Sequence, residues 1–118
     1  MNTNTFYKRL QALTTKEGTL KTRYFNPLWK LLNYPKNKIY PRQWVQNGHH
    51  SELLDHSERY TELFDALELS YTTGNDAPRG GQTGYFILLT PEALRRLPNL
   101  SALDYSTITK AKIKNLIK

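Results

Sequence analysis

Gly74-Asn75-Asp76-Ala77-Pro78-Arg79-Gly80-Gly81-Gln82-Thr83-Gly84 is the stretch on which the fold turns. It sets four glycines, a proline and a single arginine between two strand-like runs. Residues 67–73 before it carry β-branched and aromatic side chains, and Tyr85-Phe86-Ile87-Leu88-Leu89-Thr90 after it is the most strand-like run in the chain. The combination predicts a β-hairpin with a long tip. Pro78 cannot donate to a strand ladder and the glycines permit positive φ, so residues 74–84 are expected outside the sheet, with Arg79 projecting into solvent. A phosphate-cradling loop is excluded by detail. No Lys-Ser or Lys-Thr pair follows the glycines, and the run leads into a strand rather than a helix.

Working outward, Thr5 reads as the N-cap of a first helix with Phe6, Leu10 and Leu13 at helical spacing and Lys8 and Arg9 turned outward. Gly18 ends it, and the threonines and aromatics of 19–25 read as a short strand. Asn26-Pro27 opens a helix through Leu28, Trp29, Leu31 and Leu32 that Pro35 closes. Tyr40-Pro41 opens another over 42–47 that stops at Gly48, with Trp44 and Val45 as its core anchors. The clearest periodicity lies over 51–67. Leu53, Tyr60, Leu63, Phe64 and Leu67 gather on one side of a helical wheel, and Asp55, Glu58, Glu62 and Asp65 nearly opposite. Thr90-Pro91-Glu92 caps a short helix that Pro98 terminates.

These elements predict an α+β fold: one small domain over 1–105, mostly helical with one β-hairpin, followed by a basic C-terminal tail or helix over 106–118. Their order resembles that of a winged helix. The likeness is one of element order, the extra helix before the hairpin departs from its simplest version, and it transfers no binding or catalytic residue.

At 118 residues the chain buries enough surface for an ordinary core, and it contains no cysteine, which excludes thiolate zinc sites and thiol nucleophiles. The first five residues are polar and the longest apolar run, 85–89, is too short to cross a bilayer, so a cytoplasmic protein without a membrane partner is expected.

Charge is unevenly spread. Residues 1–42 carry a net +8, residues 43–78 a net −6 and residues 79–118 a net +5. Such a field favours polyanions, while the acidic segment is placed to neutralise part of it. Eight Tyr, four Phe and two Trp add to this. Tyr24, Phe25, Trp29, Tyr34, Tyr40 and Trp44 alternate with Arg23, Lys30, Lys36, Lys38 and Arg42, the mixture with which single-strand binders stack bases while cations follow phosphates. The other reading of these rings is core packing.

The leading expectation is a non-enzymatic nucleic-acid-binding protein, DNA ahead of RNA. Arg79 and the glycine-rich tip contact the backbone or minor groove. Arg42, Gln43, Gln46 and Asn47 on the 42–47 helix read base edges, and Lys110, Lys112 and Lys114 add phosphate contacts. The alternative is a small protein-binding inhibitor or adaptor that uses the acidic stripe of Asp55, Glu58, Glu62 and Asp65, the hairpin tip or exposed aromatics. In the bland version of that stripe, it is solvated or faces Lys8, Lys21 or Lys30. For catalysis the sequence offers His49, His50, Asp55 and His56, the residue types of a metal-dependent nuclease, but at no diagnostic metal or nucleophile spacing, so that nuclease is the minor alternative and no enzyme, cofactor, metal site or small-molecule substrate is expected.

Overall fold

Asn2, not Thr5, caps the first helix: its side-chain oxygen accepts from the Thr5 N–H at 2.8 Å, and α1 runs Thr3–Leu10. The computed structural model describes residues 1–98, so the tail with Lys110, Lys112 and Lys114 lies outside the described residues. Phe6, Tyr7 and Leu10 of α1 are fully buried, and Leu13 follows on a 3₁₀ turn over Gln11–Leu13. Arg9 does not turn outward. It ion-pairs with Glu68 and donates to the Leu67 carbonyl at 3.1 Å, tying the first helix to the C-terminal end of the helix that precedes the glycine-rich hairpin.

The strand expected over 19–25 is absent. Leu20 makes one bridge to Thr14, and a 3₁₀ turn over Thr22–Tyr24 leads into α2, Phe25–Asn33. Helix wins here because Pro27 has its φ fixed at a helical value in the first turn, while Pro27, Leu28 and Leu31 bury one face. The helix stops at Asn33, two residues short of Pro35, which disfavours helical backbone at Tyr34.

Residues 42–47 are not a helix but β1, Arg42–Asn47, paired antiparallel with β2, His50–Asp55, and the helix expected from 51 begins at Ser57. Asn47 pairs with His50, leaving Gly48-His49 as a two-residue loop; Gly48, at φ +63°, takes the positive φ that the first position of a II′ hairpin turn requires. Gly48 therefore closes a hairpin rather than a helix, and Pro41 opens no helix because Ile39 is already committed to a strand pairing.

α3 spans Ser57–Ala66 and buries Tyr60, Leu63 and Phe64, with Leu67 beyond its end. β3, Tyr71–Asn75, and β4, Tyr85–Leu89, form the predicted hairpin, with Tyr71 opposite Leu89 and Asn75 opposite Tyr85. Its tip is only partly outside the sheet. Gly74 and Asn75 belong to β3, the Asp76 N–H donates to the Gly84 carbonyl at 2.8 Å, and residues 81–83 lie along β1. Gln43 bridges Gln82 there, the Trp44 N–H donates to the Gly81 carbonyl, and the Thr83 N–H to that of Arg42. Further along, Ile39 and Ile87 exchange backbone hydrogen bonds of 2.9 and 2.8 Å. The tip side has one more residue than the 39–43 side between these bridges, a bulge near Gly84, whose φ is +88°. The two hairpins are thus stitched edge to edge.

α4, Pro91–Arg96, starts where the sequence predicts, with the Thr90 hydroxyl accepting from the Ala93 N–H at 3.1 Å. The α+β class holds, with two hairpins and four α-helices among the described residues. One apolar cluster runs from Phe6 through Leu28, Phe64 and Ile87 to Ala93, and no residue of β1 or β2 belongs to it. Trp44 is not a core anchor; it is 52 % exposed. Among the described residues no helix is long and apolar enough to cross a membrane.

Candidate functional site

Docking the tip on β1 builds a site around Asp76. The Asp76 carboxylate accepts from the Tyr40 hydroxyl at 2.6 Å and from Lys38 Nζ at 3.0 Å. Lys38 Nζ also lies 4.5 Å from the centre of the Phe86 ring, which Tyr40 meets edge-on at 6.2 Å. The bonds from Tyr40 and Lys38 hold the Asp76 carboxyl below its ordinary pKa, and the same bonds raise those of Lys38 and Tyr40. Arg79 adds positive potential to Asp76 and Tyr40, yet has no ion-pair partner among the described residues.

Three depressions adjoin along this side. One of about 560 Å³ is lined by Lys38, Tyr40, Asp76, Arg79 and Gln82 among others. It shares Lys38 with a second, of about 250 Å³, lined by Trp29, Lys30, Tyr34 and Asn37. That one shares Trp29 and Lys30 with a third, of about 360 Å³, which reaches Asn26, Gln43 and His56. Among the described residues, Lys30, Lys38 and Arg79 supply the lysine and arginine charge of this belt, and Asp76 is the one carboxylate that lines it.

Of the residues expected to contact nucleic acid, Arg79 and Gln43 reach the belt. Arg42, Gln46 and Asn47 are used inside the β1–β2 hairpin. Arg42 Nε donates to Asp55 Oδ2 at 3.0 Å, and its guanidinium lies 3.9 Å from the centre of the Tyr85 ring. Gln46 bonds the Gly48 carbonyl and the Ser51 hydroxyl, and Asn47 bonds Glu52.

The acidic stripe is divided. Asp55 sits on β2, where burial raises its pKa but the Ser57 hydroxyl and N–H and the Arg42 guanidinium more than offset this, leaving the carboxyl below its usual range. Glu62 pairs with Arg23 at 3.2 Å and accepts from the Tyr24 hydroxyl, while Glu58 and Asp65 stay exposed on α3. No ion pair among the described residues joins the stripe to Lys8, Lys21 or Lys30. Instead Arg9, Arg23, Lys38 and Arg42 of the basic amino-terminal segment each meet a carboxylate of the acidic middle one. His49, His50 and His56 are exposed, and among the described residues no three His, Asp or Glu side chains come within reach of one metal ion.

Lys30, Tyr34, Lys38 and Tyr40 belong to the alternation of aromatics and cations visible in the sequence; Asp76 and Gln82 gave no signal there, because their place depends on the tip folding back. No protein-family model, curated protein or solved structure matches this chain.

Proposed function

We propose that this protein binds nucleic acid without catalysis, along the belt from Arg79 through Lys38 to Lys30. The observation that carries the reading is a row of three depressions that share lining residues and that, among the described residues, are lined by Lys30, Lys38 and Arg79, by Trp29, Tyr34 and Tyr40, and by one carboxylate that Lys38 and Tyr40 already engage. Phosphates are attracted to such a surface through counterion release, and amide and hydroxyl groups beside it position the chain that carries them. Binding of labelled DNA and RNA, measured by fluorescence anisotropy over a salt series, tests the reading. The expected result is affinity that falls steeply with salt, with Arg79→Ala and Lys38→Ala each lowering the log–log slope by about 1. Absence of salt-dependent binding at about 50 mM salt overturns it.

A second reading, a protein-binding inhibitor or adaptor, is favoured by the β1–β2 hairpin. Trp44 and Leu53 lie directly opposite one another and are 52 % and 44 % exposed, and Leu54 is 40 % exposed on the other face. A tryptophan and a leucine exposed side by side on one face of a hairpin are a protein-contact feature. Capture of a partner that Trp44→Ser abolishes, with nucleic-acid affinity absent in the unmodified protein, decides for this reading.

A further inference from the structure

Resting on the nucleic-acid reading above, we infer that the belt takes an unpaired strand rather than a duplex, with one base stacked on the ring of Tyr34. Tyr34 stands at the end of α2, where its N–H donates to the Lys30 carbonyl at 2.7 Å and its carbonyl accepts from the Asn37 N–H at 3.2 Å. Its backbone is thereby held on both sides of Pro35. The ring is 52 % exposed, and Trp29 meets it edge-on at 5.4 Å and 65°, which orients it. A rigid, open ring bound at both backbone ends loses little entropy when a flat ligand settles on it.

The surroundings fit one base with its phosphates. The 250 Å³ depression beside Tyr34 is lined by Lys30 and Lys38 and by the Asn37 side chain, which offers both a donor and an acceptor to a base edge. Lys36, next in the same turn, is exposed and without an ion-pair partner among the described residues. A duplex uses none of this well. Its base faces are already stacked on one another, so an exposed tyrosine ring gains contact only with a base that is free. Groove reading is also poorly served, because Arg42, Gln46 and Asn47 are bonded within their own hairpin. A rigid duplex must keep its phosphate spacing past Asp76, whereas a flexible strand bends around it.

The test uses the full chain with labelled single strands of DNA and of RNA and with the matched duplexes. Single strands of either sugar are expected to bind at least ten-fold tighter than duplex. Tyr34→Ala and Tyr34→Leu are expected to lose about ten-fold or more on single strands, Tyr34→Phe to keep wild-type affinity, and none of the three to alter the salt slope. Tyr34→Leu preserves apolar area, so its failure isolates the ring, and Tyr34→Phe controls for folding. Duplex binding as tight as single-strand binding, or Tyr34→Leu indistinguishable from wild type, overturns this inference while leaving the anionic-ligand reading in place. No binding of any nucleic acid overturns both.

Discussion

Ile87 and Leu89 of β4 are 0 % and 4 % exposed, whereas every residue of β2 is exposed and Trp44 of β1 shows half its surface. The β3–β4 hairpin lies against α3 and the common core, and its stability comes from what it buries. The β1–β2 hairpin buries nothing in that core. Its order comes from six paired residues on each strand, from the Gly48 turn, and from the tip that lies along its inner edge. An isolated two-stranded ribbon is marginal in water, so the tip, by adding a second partner to β1, is what holds this ribbon in place. The Asp76 end of the belt lies where these two differently stabilised regions meet, and its Tyr34 end lies on α2 and the turn that follows.

The widest gap between the regions is expected in core deletions. Phe64→Ala, at a side chain 1 % exposed, is expected to cost about 3–5 kcal/mol in denaturant unfolding, and Leu54→Ala in β2 less than about 1 kcal/mol. Equal losses would break the comparison. Next in size is the joint itself. A Cβ on Gly84 would meet the Asp76 carbonyl oxygen at 2.0 Å, at φ +88°, so Gly84→Ala is expected to cost about 2–3 kcal/mol. It should also strip exchange protection from the Trp44 amide, which bonds the tip. Gly80→Ala, at φ +57° in open space, is expected to cost only about 1 kcal/mol and to leave that amide protected.

Thr90→Ala perturbs the core-bound region and leaves the joint intact. It removes the α4 cap and is expected to cost about 1 kcal/mol without changing exchange in β1. The subtlest effect is with acid. Asp55 and Asp76 both have folded-state pKa values below their ordinary ones, so the stabilisation they give is complete above the unfolded value of about 4. It is lost as pH falls through the folded values. Asp55 ties β2 to Arg42 and Ser57, and Asp76 ties the tip to Tyr40 and Lys38. Protection factors in β1 are therefore expected to fall with acid before those of α3 do, and Asp55→Asn together with Asp76→Asn is expected to flatten that fall.

How much was legible divides along the same line. Thr90-Pro91 marked α4, and the run ending at Leu89 marked β4, because caps and buried strands are local chemistry. Over 42–55 the same local chemistry pointed to helices. Pro41 resembled a helix start, and Leu53 fell in phase with Tyr60 and Phe64 on a wheel, yet it stands in a strand across from Trp44. Periodicity reports which face is buried, and a ribbon that buries neither face carries no such signal.

Residue chemistry read along the chain is enough for an α+β domain with an apolar core, a glycine-rich hairpin tip, and an interleaving of cations with aromatics over 23–44. These follow from side-chain polarity and backbone permissiveness, which each residue carries wherever it lies. It takes the folded chain to return the tip to β1, to bring Lys38 and Arg79 into one depression with Asp76, and to match Arg9, Arg23, Lys38 and Arg42 with carboxylates. The first two depend on backbone pairing between residues some 40 positions apart, Arg9 and Arg23 reach Glu68 and Glu62 between elements far apart in the chain, and Arg42 meets Asp55 across the β1–β2 ladder; such contacts are set by the free energy of the whole chain rather than by any window of it.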